Sequence, residues 1–338
     1  MVRRNAPVTF DSKMDAEAWL AARHRETVSD DWQPPVRTVA VTLNVFADRW
    51  LTHRTLKPRT RDQYQRLLEK EILPTLGAMP LKRITADAVE DWHAALPPGR
   101  KTYNAHAYSL LRTILKDAEQ RRLIDHNPCH IRGAGTTKRA KAIEPATVAE
   151  LAALVDALPE RYRALALLAG WCQLRFGELI ALRRMDIDLD LAVVRVRRGV
   201  TRIPGEVIVG TPKSHKGTRD VTIPAGIVPV IEAHLETIAG DPNALVFPSA
   251  TDPTKHLAQS TLHRHFDKAR RAAGRPDLTP HALRHTGATL AAQEGATLAE
   301  LMDRLGHSNV GAAMRYQHAA QGRGAELAEK LNKRLNGG

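Results

Sequence analysis

Apolar residues recur at helical spacing through the first third of the chain. Between residues 38 and 128, four segments separate their apolar side chains by three, four or seven positions, which places them on one face of an α-helix. Thr85 is the expected N-cap of the third helix, and Pro74 with Gly77 is expected to end the second. Together the four helices predict one compact helical domain. Its expected core residues are Leu43, Phe46, Trp50, Tyr64, Leu67, Leu68, Ile72, Val89, Trp92, Leu96, Tyr103, Ala107, Leu111, Ile114 and Ala118.

Two segments flank that helical domain. Residues 11–28 predict a helix with Ala16, Trp19 and Leu20 on one face, and the breaker-rich SDDWQPPV follows it, so the chain up to residue 37 is expected to be a small element and a linker. Residues 129–143, CHIRGAGTTKRAKAI, mix glycines with basic side chains without periodicity. This composition predicts an interdomain linker that follows a phosphate backbone.

The rest of the chain mixes helical and strand patterns. Helical patterns at about 146–158 and 161–184 lead into short β-branched runs at 193–197, 207–209 and 220–223. Pro204 and Gly205 predict a turn between the first two runs, and four or five helices follow the third. The sequence therefore predicts a mainly α protein with a small antiparallel β-sheet. A mixed α+β domain at 144–320 follows the helical one, and residues 321–338 form a tail.

The net charge of the chain indicates a class of binding partner. The 338 residues carry 50 Lys and Arg against 37 Asp and Glu, a formal net charge of +13. Such an excess favours a polyanion, and nucleic acid is the natural candidate. The longest apolar stretch, Ala164 to Cys172, is far shorter than the roughly 20 residues that span a bilayer, so no membrane role is expected. Two cysteines and no leader-like start fit a reducing cytoplasm.

The segment TPHALRHTGATL, residues 279–290, holds the most informative polar residues. Thr279 followed by proline predicts a helix start, after which His281 and Arg284 lie on one face. His281 and His285 have the spacing of zinc ligands, but no HExxH glutamate and no third ligand accompany them. Alone, the segment is more typical of a solvated basic helix.

Four further segments change that interpretation. They are WCQLRFGELIAL around Arg175, GTPKSHKG around Lys213, DRLGHSN around His307 and AAMRYQHA around Tyr316. In the order Arg, Lys, His-x-x-Arg, His, Tyr, these residues resemble the active site of the tyrosine recombinase family, which includes phage and prophage integrases. The resemblance covers about residues 38–320. It implies a SAM-like core-binding domain followed by a tyrosine recombinase catalytic domain.

Phosphodiester transfer requires residues of these types. Negative charge grows on the phosphate oxygens, and the guanidinium groups of Arg175 and Arg284 are suited to bind it in place of metal ions. No metal or cofactor is therefore expected. A tyrosine hydroxyl has an ordinary pKa of about 10, so the attack of Tyr316 needs a base, for which His281 is the best candidate.

The resemblance implies roles for the other members of the set. Lys213, between two strands, protonates the departing 5′ oxygen, with its neighbour Lys216 as the alternative acid. His307 hydrogen-bonds the scissile phosphate, and Glu178 orients the site without reacting. The reaction then leaves a 3′-phosphotyrosyl link to Tyr316.

Plainer explanations exist for several of these residues. Tyr316 could be a core aromatic, although its place shortly after the LGH element favours the nucleophile. Cys172, beside Trp171 on an apolar helix, is expected to be a packing residue. The acidic run DIDLD lacks the glycine and glutamate of a calcium loop and predicts a turn before the first strand.

DNA contacts are expected from two of the predicted helices and from the linker. The resemblance implies that the two domains clamp duplex DNA, mostly through phosphates, although each basic side chain could equally belong to a solvated face. The candidate contacts are Lys57, Arg59, Thr60, Arg61, Lys101, Asn104, Arg112, Lys138, Arg139 and Lys141.

The resemblance also implies an assembly. Leu327, Leu331 and Leu335 repeat every four residues, which predicts a tail helix exchanged between protomers of a homotetramer on DNA attachment sites. A directionality factor and a host DNA-bending protein are candidate partners. The N-terminal TFDSKMDAEAWLAAR resembles only the closing strand and helix of an arm-binding module. Two other functions stay open: a resolvase or type IB topoisomerase with the same chemistry, and a DNA-binding regulator without catalysis.

Overall fold

The computed structural model describes residues 9–28, 40–137, 144–212 and 215–319, and the single positions 328, 329, 332 and 335. These residues separate into two compact units that divide between Thr137 and Lys138. Within the described ranges, no helix has both the length and the apolar character needed to cross a bilayer.

The first unit contains the predicted helices. Phe10, just before the first helix α1 (Lys13–Val28), packs against Trp19 with the ring centroids 5.6 Å apart. Leu20, predicted on the same apolar face as Trp19, is 61% exposed. Around the four later segments, the expected apolar residues form one core that includes Trp50, Trp92 and Leu111. The helices of this unit are α1 Lys13–Val28, α2 Leu43–Thr52, α3 Pro58–Leu67, α4 Leu73–Leu76, α5 Ala86–Ala94 and α6 Lys101–Gln120.

The second predicted helix continues through its proline. A π-helical turn, Leu68–Ile72, joins α3 to α4, and the helix ends at Leu76 before Gly77. Pro74 was expected to end the helix, because its ring collides with the carbonyl four residues earlier in a regular helix. The wider π turn accommodates the proline at the first turn of α4, so the prediction was wrong at this position.

The start of the predicted linker packs on the first unit. Cys129 is buried in the helical core, and the Ile131 amide donates to the Tyr108 hydroxyl at 2.8 Å. Residues 129–137 thus belong to the helical unit, while 138–143 lie outside the described residues.

Helices predominate in the second unit. The single helix expected over 161–184 ends at Trp171, because Gln173 adopts a positive φ of 51°, which no α-helix tolerates. A new helix then begins directly after Arg175. The helices are α7 Val148–Ala157, α8 Glu160–Trp171, α9 Phe176–Leu179, α10 Val228–Glu236, α11 Gln259–Ala272, α12 Pro280–Gln293, α13 Leu298–Leu305 and α14 Val310–Ala319.

Five short strands form two antiparallel sheets in this unit. One sheet has the order β1-β2-β5, with β1 Ile187–Asp188, β2 Val193–Val196 and β5 Arg219–Thr222. The strands β3 Gly199–Ile203 and β4 Glu206–Gly210 form a hairpin whose turn contains Pro204 and Gly205. That turn was predicted, but β3 was not, because every residue of β3 is half-buried and gives no alternating pattern. The predicted acidic turn is present, with Ile187 and Asp188 forming a strand ahead of it.

Two glycines bring α8 and α12 into backbone contact. A Cβ atom at Gly287 of α12 would lie 1.7 Å from the carbonyl oxygen of Gly170 in α8. Only glycine permits this approach, which fixes the height and rotation of α12 on the core. The same helix carries His281, Arg284 and His285.

Candidate active site

Arg175 is placed by the break that ends α8. It is the N-cap residue of α9, and its backbone N–H donates to the Glu178 carboxylate at 2.9 Å. Its guanidinium donates to the other oxygen of Glu178 at 2.7 Å and to the carbonyl of Gly306 at 3.3 Å. Because 27% of the Arg175 side chain stays exposed, it is available to a ligand.

Arg284 is placed by α12, which begins where the sequence predicted a helix start and whose N-cap Thr279 accepts a hydrogen bond from the Ala282 amide at 3.2 Å. Its guanidinium donates to the carbonyl oxygen of Gln173 and, at 2.5 Å, to that of Leu305. The guanidinium also lies 3.2 Å from Nε2 of His307. Arg175 and Arg284 thus both hold the turn that precedes His307.

Glu178 joins the arginines of the site. Its carboxylate is 4% exposed, binds Arg175, lies 4.0 Å from Arg284, and accepts from Arg219 at 3.1 Å. Arg219 was not predicted from the sequence, because a basic residue on a short strand is usually exposed. Its guanidinium also donates to the carbonyls of Arg304 and Gly217 at 2.8 and 3.0 Å. Arg219 therefore connects Glu178 to the loop that follows β4.

The charges of this cluster do not balance. Three guanidinium groups, those of Arg175, Arg219 and Arg284, share the single carboxylate of Glu178. Burial and the positive charge of Arg175 lower the pKa of Arg284 to about 9. Arg284 still carries its charge at neutral pH. Burial opposes ionisation of Glu178, but Arg219 and Arg175 outweigh it and hold the pKa of Glu178 below its ordinary value. The cluster is therefore an electropositive site that favours an anion.

His307 lies at the edge of this cluster. Burial, Arg284 and Arg175 lower the pKa of its imidazole to about 4, so the ring is neutral at physiological pH. A neutral ring beside the Arg284 guanidinium accepts at Nε2 and carries its proton on Nδ1. Among the described residues, that Nδ1 atom has no hydrogen-bond partner.

Tyr316 lies on α14 and packs against α12. Its side chain is 5% exposed and belongs to a small core with Ala288 and Leu305. Its hydroxyl oxygen is 2.6 Å from Nδ1 of His285. His285 had been noted only as half of a rejected metal pair, whereas the predicted base, His281, is exposed and touches the His285 ring with centroids 4.8 Å apart.

Several predicted residues lie outside the described residues. These are Lys138, Arg139, Lys141, Lys213, Leu327 and Leu331. Lys216 is exposed in the loop between β4 and β5, which is the loop that contains position 213. This loop borders the site, since a Cβ atom at Gly306 would lie 3.0 Å from the Lys216 carbonyl oxygen. Leu335 is 83% exposed.

Two of the expected DNA contacts make hydrogen bonds within the first unit. The guanidinium of Arg61 donates to the carbonyls of Leu51 and Arg54 at 2.6 and 2.7 Å. The amide of Asn104 donates to the carbonyl of Pro97 at 2.8 Å. Thr60 is half-buried, and the exposed candidates are Lys57, Arg59, Lys101 and Arg112.

The fold and the site together define a class. A helical unit precedes a mixed unit in which two arginines, a histidine and a tyrosine come from four separate segments. This is the composition of a tyrosine-dependent DNA strand transferase.

Comparison with known proteins then gives the family. Residues 141–323 match the phage integrase family, 42–96 match the phage integrase N-terminal SAM-like domain, and 1–29 match the phage integrase N-terminal domain. The putative prophage phiRv2 integrase of Mycobacterium tuberculosis H37Rv is 50% identical over 332 residues, which cover 97% of this chain and 88% of that protein. The chain belongs to the phage integrase family.

Solved structures share the fold. The Tn1549 transposon integrase in complex with a circular intermediate DNA has a TM-score of 0.70 at 20% identity, covering 81% of this chain and 94% of that one. The lambda integrase tetramer bound to a Holliday junction has a TM-score of 0.62 at 19% identity, covering 91% and 88%. The predicted SAM-like and tyrosine recombinase domains are confirmed, and the protein is a tyrosine recombinase that acts as a site-specific DNA integrase.

Proposed function

We propose that Arg175, Arg284 and His307 hold the scissile phosphate while Tyr316 attacks it. One observation carries this assignment: both guanidinium groups bind the carbonyls of the turn that leads into His307. Three segments far apart in sequence thereby present cationic and hydrogen-bonding groups to one place. Such a preorganised arrangement is what a developing anionic transition state requires.

The charge of the cluster matches the reaction. A phosphodiester carries about one negative charge, and its five-coordinate transition state carries about two. Three guanidinium groups and one carboxylate leave an excess of two positive charges in the site. The site therefore complements the transition state better than the ground state, which is the condition for catalysis.

The proposed step balances in atoms and charge. The oxygen of Tyr316 forms a bond to phosphorus, and the bond from phosphorus to the 5′ oxygen breaks. The phenolic proton passes to a base, and the 5′ oxygen takes a proton from Lys213. The phosphotyrosyl ester preserves the free energy of the broken bond, so religation to a new 5′ hydroxyl uses no ATP. Contact of the β4–β5 loop with Gly306 supports a lysine from that loop as the acid.

The wider role follows from the relatives. We propose that the chain integrates or excises a phage, prophage or other mobile element, in keeping with the prophage integrase to which it is 50% identical. Assembly as a homotetramer on DNA is part of the proposal, and the lambda integrase tetramer on a Holliday junction supports it. A directionality factor and a DNA-bending protein would act on this complex in the bacterial cytoplasm. Relatives named integrases favour recombination over a topoisomerase or a non-catalytic regulator.

The test uses a nicked half-site that traps the covalent intermediate. The unmodified protein should form an SDS-stable adduct with DNA, and Tyr316→Phe should form none. Tyr162→Phe, which removes a hydroxyl from another buried tyrosine of the same unit, is the matched control and should keep the adduct. An adduct that survives Tyr316→Phe contradicts the mechanism. An adduct that requires added Mg²⁺ contradicts the role given to the arginines.

A further inference from the structure

The helix α12 presents two neighbouring residues to different parts of the molecule. Successive residues of an α-helix point about 100° apart. Arg284 accordingly contacts the turn before His307, while His285 contacts Tyr316 on α14. The backbone contact at Gly287 sets the rotation of α12, so it fixes both side chains at once.

The contact between His285 and Tyr316 joins a nucleophile to a base. The hydroxyl oxygen and Nδ1 are 2.6 Å apart, and the two rings lie with their centroids 5.7 Å apart. Tyr316 is almost fully buried, so solvent has little access to its proton. A general base must lie within hydrogen-bond reach of the proton that it removes, and Nδ1 of His285 fulfils this condition.

We propose that His285 is a catalytic residue that orients the Tyr316 hydroxyl and accepts its proton during attack. At neutral pH only about one tyrosine in a thousand is ionised, because the ordinary pKa of the phenol is about 10. Transfer of the proton to Nδ1 of His285 creates the phenolate as the bond to phosphorus forms. The imidazolium then returns the proton to the phenolic oxygen when the phosphotyrosyl ester is resolved.

His281 has a different position in this arrangement. It is exposed one turn before His285, and its ring meets the His285 ring edge-on at 4.8 Å. This packing holds the base in place and leaves His281 at the surface, where DNA can reach it. The inference rests on the proposed role of Tyr316, and it assigns to His285 the function that the sequence suggested for His281.

The experiment measures single-turnover adduct formation on the nicked half-site, with the protein in excess over DNA. His285→Ala and His285→Asn should each slow the chemical step about 10²-fold to 10⁴-fold, the usual contribution of a general base. DNA affinity should stay unchanged. Imidazole in the buffer should restore part of the rate to His285→Ala, because the truncated side chain leaves room for it. His263→Asn, at an exposed histidine on α11, is the matched control and should react at the normal rate.

A second substrate distinguishes loss of the general base from loss of the general acid. A half-site with sulfur in place of the bridging 5′ oxygen has a leaving group that needs no proton. This substrate should rescue Lys213→Ala but should leave His285→Asn slow, because the attack on phosphorus still needs a base.

The outcomes distinguish three explanations. A normal or faster rate in both His285 variants, with Tyr316 still required, would mean that His285 holds the nucleophile at rest, and the inference fails while the proposed function stands. An adduct in Tyr316→Phe overturns the proposed function itself. Thermal unfolding of each variant detects a structural role, and a slow, well-folded His285→Ala that imidazole does not rescue also contradicts proton transfer.

Discussion

Replacement of Glu178 by glutamine tests whether the charge cluster holds the catalytic unit together. Glu178→Gln keeps the size of the side chain but removes its charge. The carboxylate accepts bonds through both oxygens, from Arg175 at 2.7 and 2.9 Å and from Arg219 at 3.1 Å. A glutamine has one acceptor oxygen, so its amide nitrogen would face another donor.

The magnitude follows from burial. The side chains of Arg219 and Arg284 are each 3% exposed, so neither can regain its hydration when the carboxylate loses its charge. Breaking a buried ion pair at one partner costs about 3–5 kcal/mol, a large part of the roughly 5–15 kcal/mol that stabilises a domain. For a unit of about 200 residues, each kcal/mol corresponds to a shift of about 2–4 °C in Tm. Glu178→Gln should therefore lower the Tm of the catalytic unit by about 10 °C.

Calorimetry and urea unfolding measure the effect. Asp267→Asn is the matched control, since Asp267 also binds two arginines, Arg270 and Arg271, but is 40% exposed. Surface pairs contribute about 0–1 kcal/mol, so this variant should unfold near the normal temperature. Combining Glu178→Gln with Arg219→Met should cost less than the sum of the single changes by about 1–3 kcal/mol, because the pair is coupled. Equal losses in Glu178→Gln and Asp267→Asn would show that burial of the carboxylate does not determine the cost of removing its charge.

Two further predictions concern packing and pH. Gly287→Ala should unfold the catalytic unit or lower its Tm by more than 10 °C, about 3 kcal/mol or more, because the new methyl group would overlap the Gly170 carbonyl. Gly226→Ala meets nothing within 4 Å and should be neutral, and equal melting of the two variants would contradict this packing. His307 has an ordinary pKa of 6.5 that folding lowers to about 4, so the unfolded chain takes up a proton first as the pH falls. Stability should thus fall from about pH 7 to pH 5, by about 1 kcal/mol after allowance for the partial exposure of the ring. His307→Gln should remove this component in urea unfolding, and an unchanged pH dependence would count against the buried neutral ring.

The sequence predicted the helical core well, because its apolar side chains repeat at helical spacing. Trp50, Trp92 and Leu111 all lie in the expected core. The prediction of helices from the sequence was wrong where a local backbone conformation interrupts the apolar spacing. The apolar run that continues past Trp171 predicted one long helix, but Gln173 breaks it, and that break is what positions Arg175. The spacing of apolar residues gives no information about the backbone φ angle of a single residue.

The site residues were predicted from the order of the motifs along the chain. That order gives the residue types but not which side chains contact each other. Arg175, Glu178, Arg284 and His307 meet in the structure. Arg219 was missed because nothing in a four-residue strand distinguishes a buried arginine from an exposed one. The His-x-x-Arg motif singled out His281 as the base, and His285 was noted only as its possible partner at a metal. Only the packing of α14 on α12 shows which ring receives the tyrosine hydroxyl.

The proposed reaction and the stability of the catalytic unit both depend on α12. Burial, and after it the positive charge of Arg175, make the charge of Arg284 costly in the folded unit and lower its pKa. The close approach of Gly287 to Gly170 supplies rigid packing that keeps α12 in place against this repulsion. A bound phosphate would relieve the repulsion at the position where Tyr316 must attack. Substrate binding should therefore stabilise the catalytic unit, because the phosphate offsets the positive charge around Arg284, and an interaction that strengthens as charge grows on the phosphate favours the transition state.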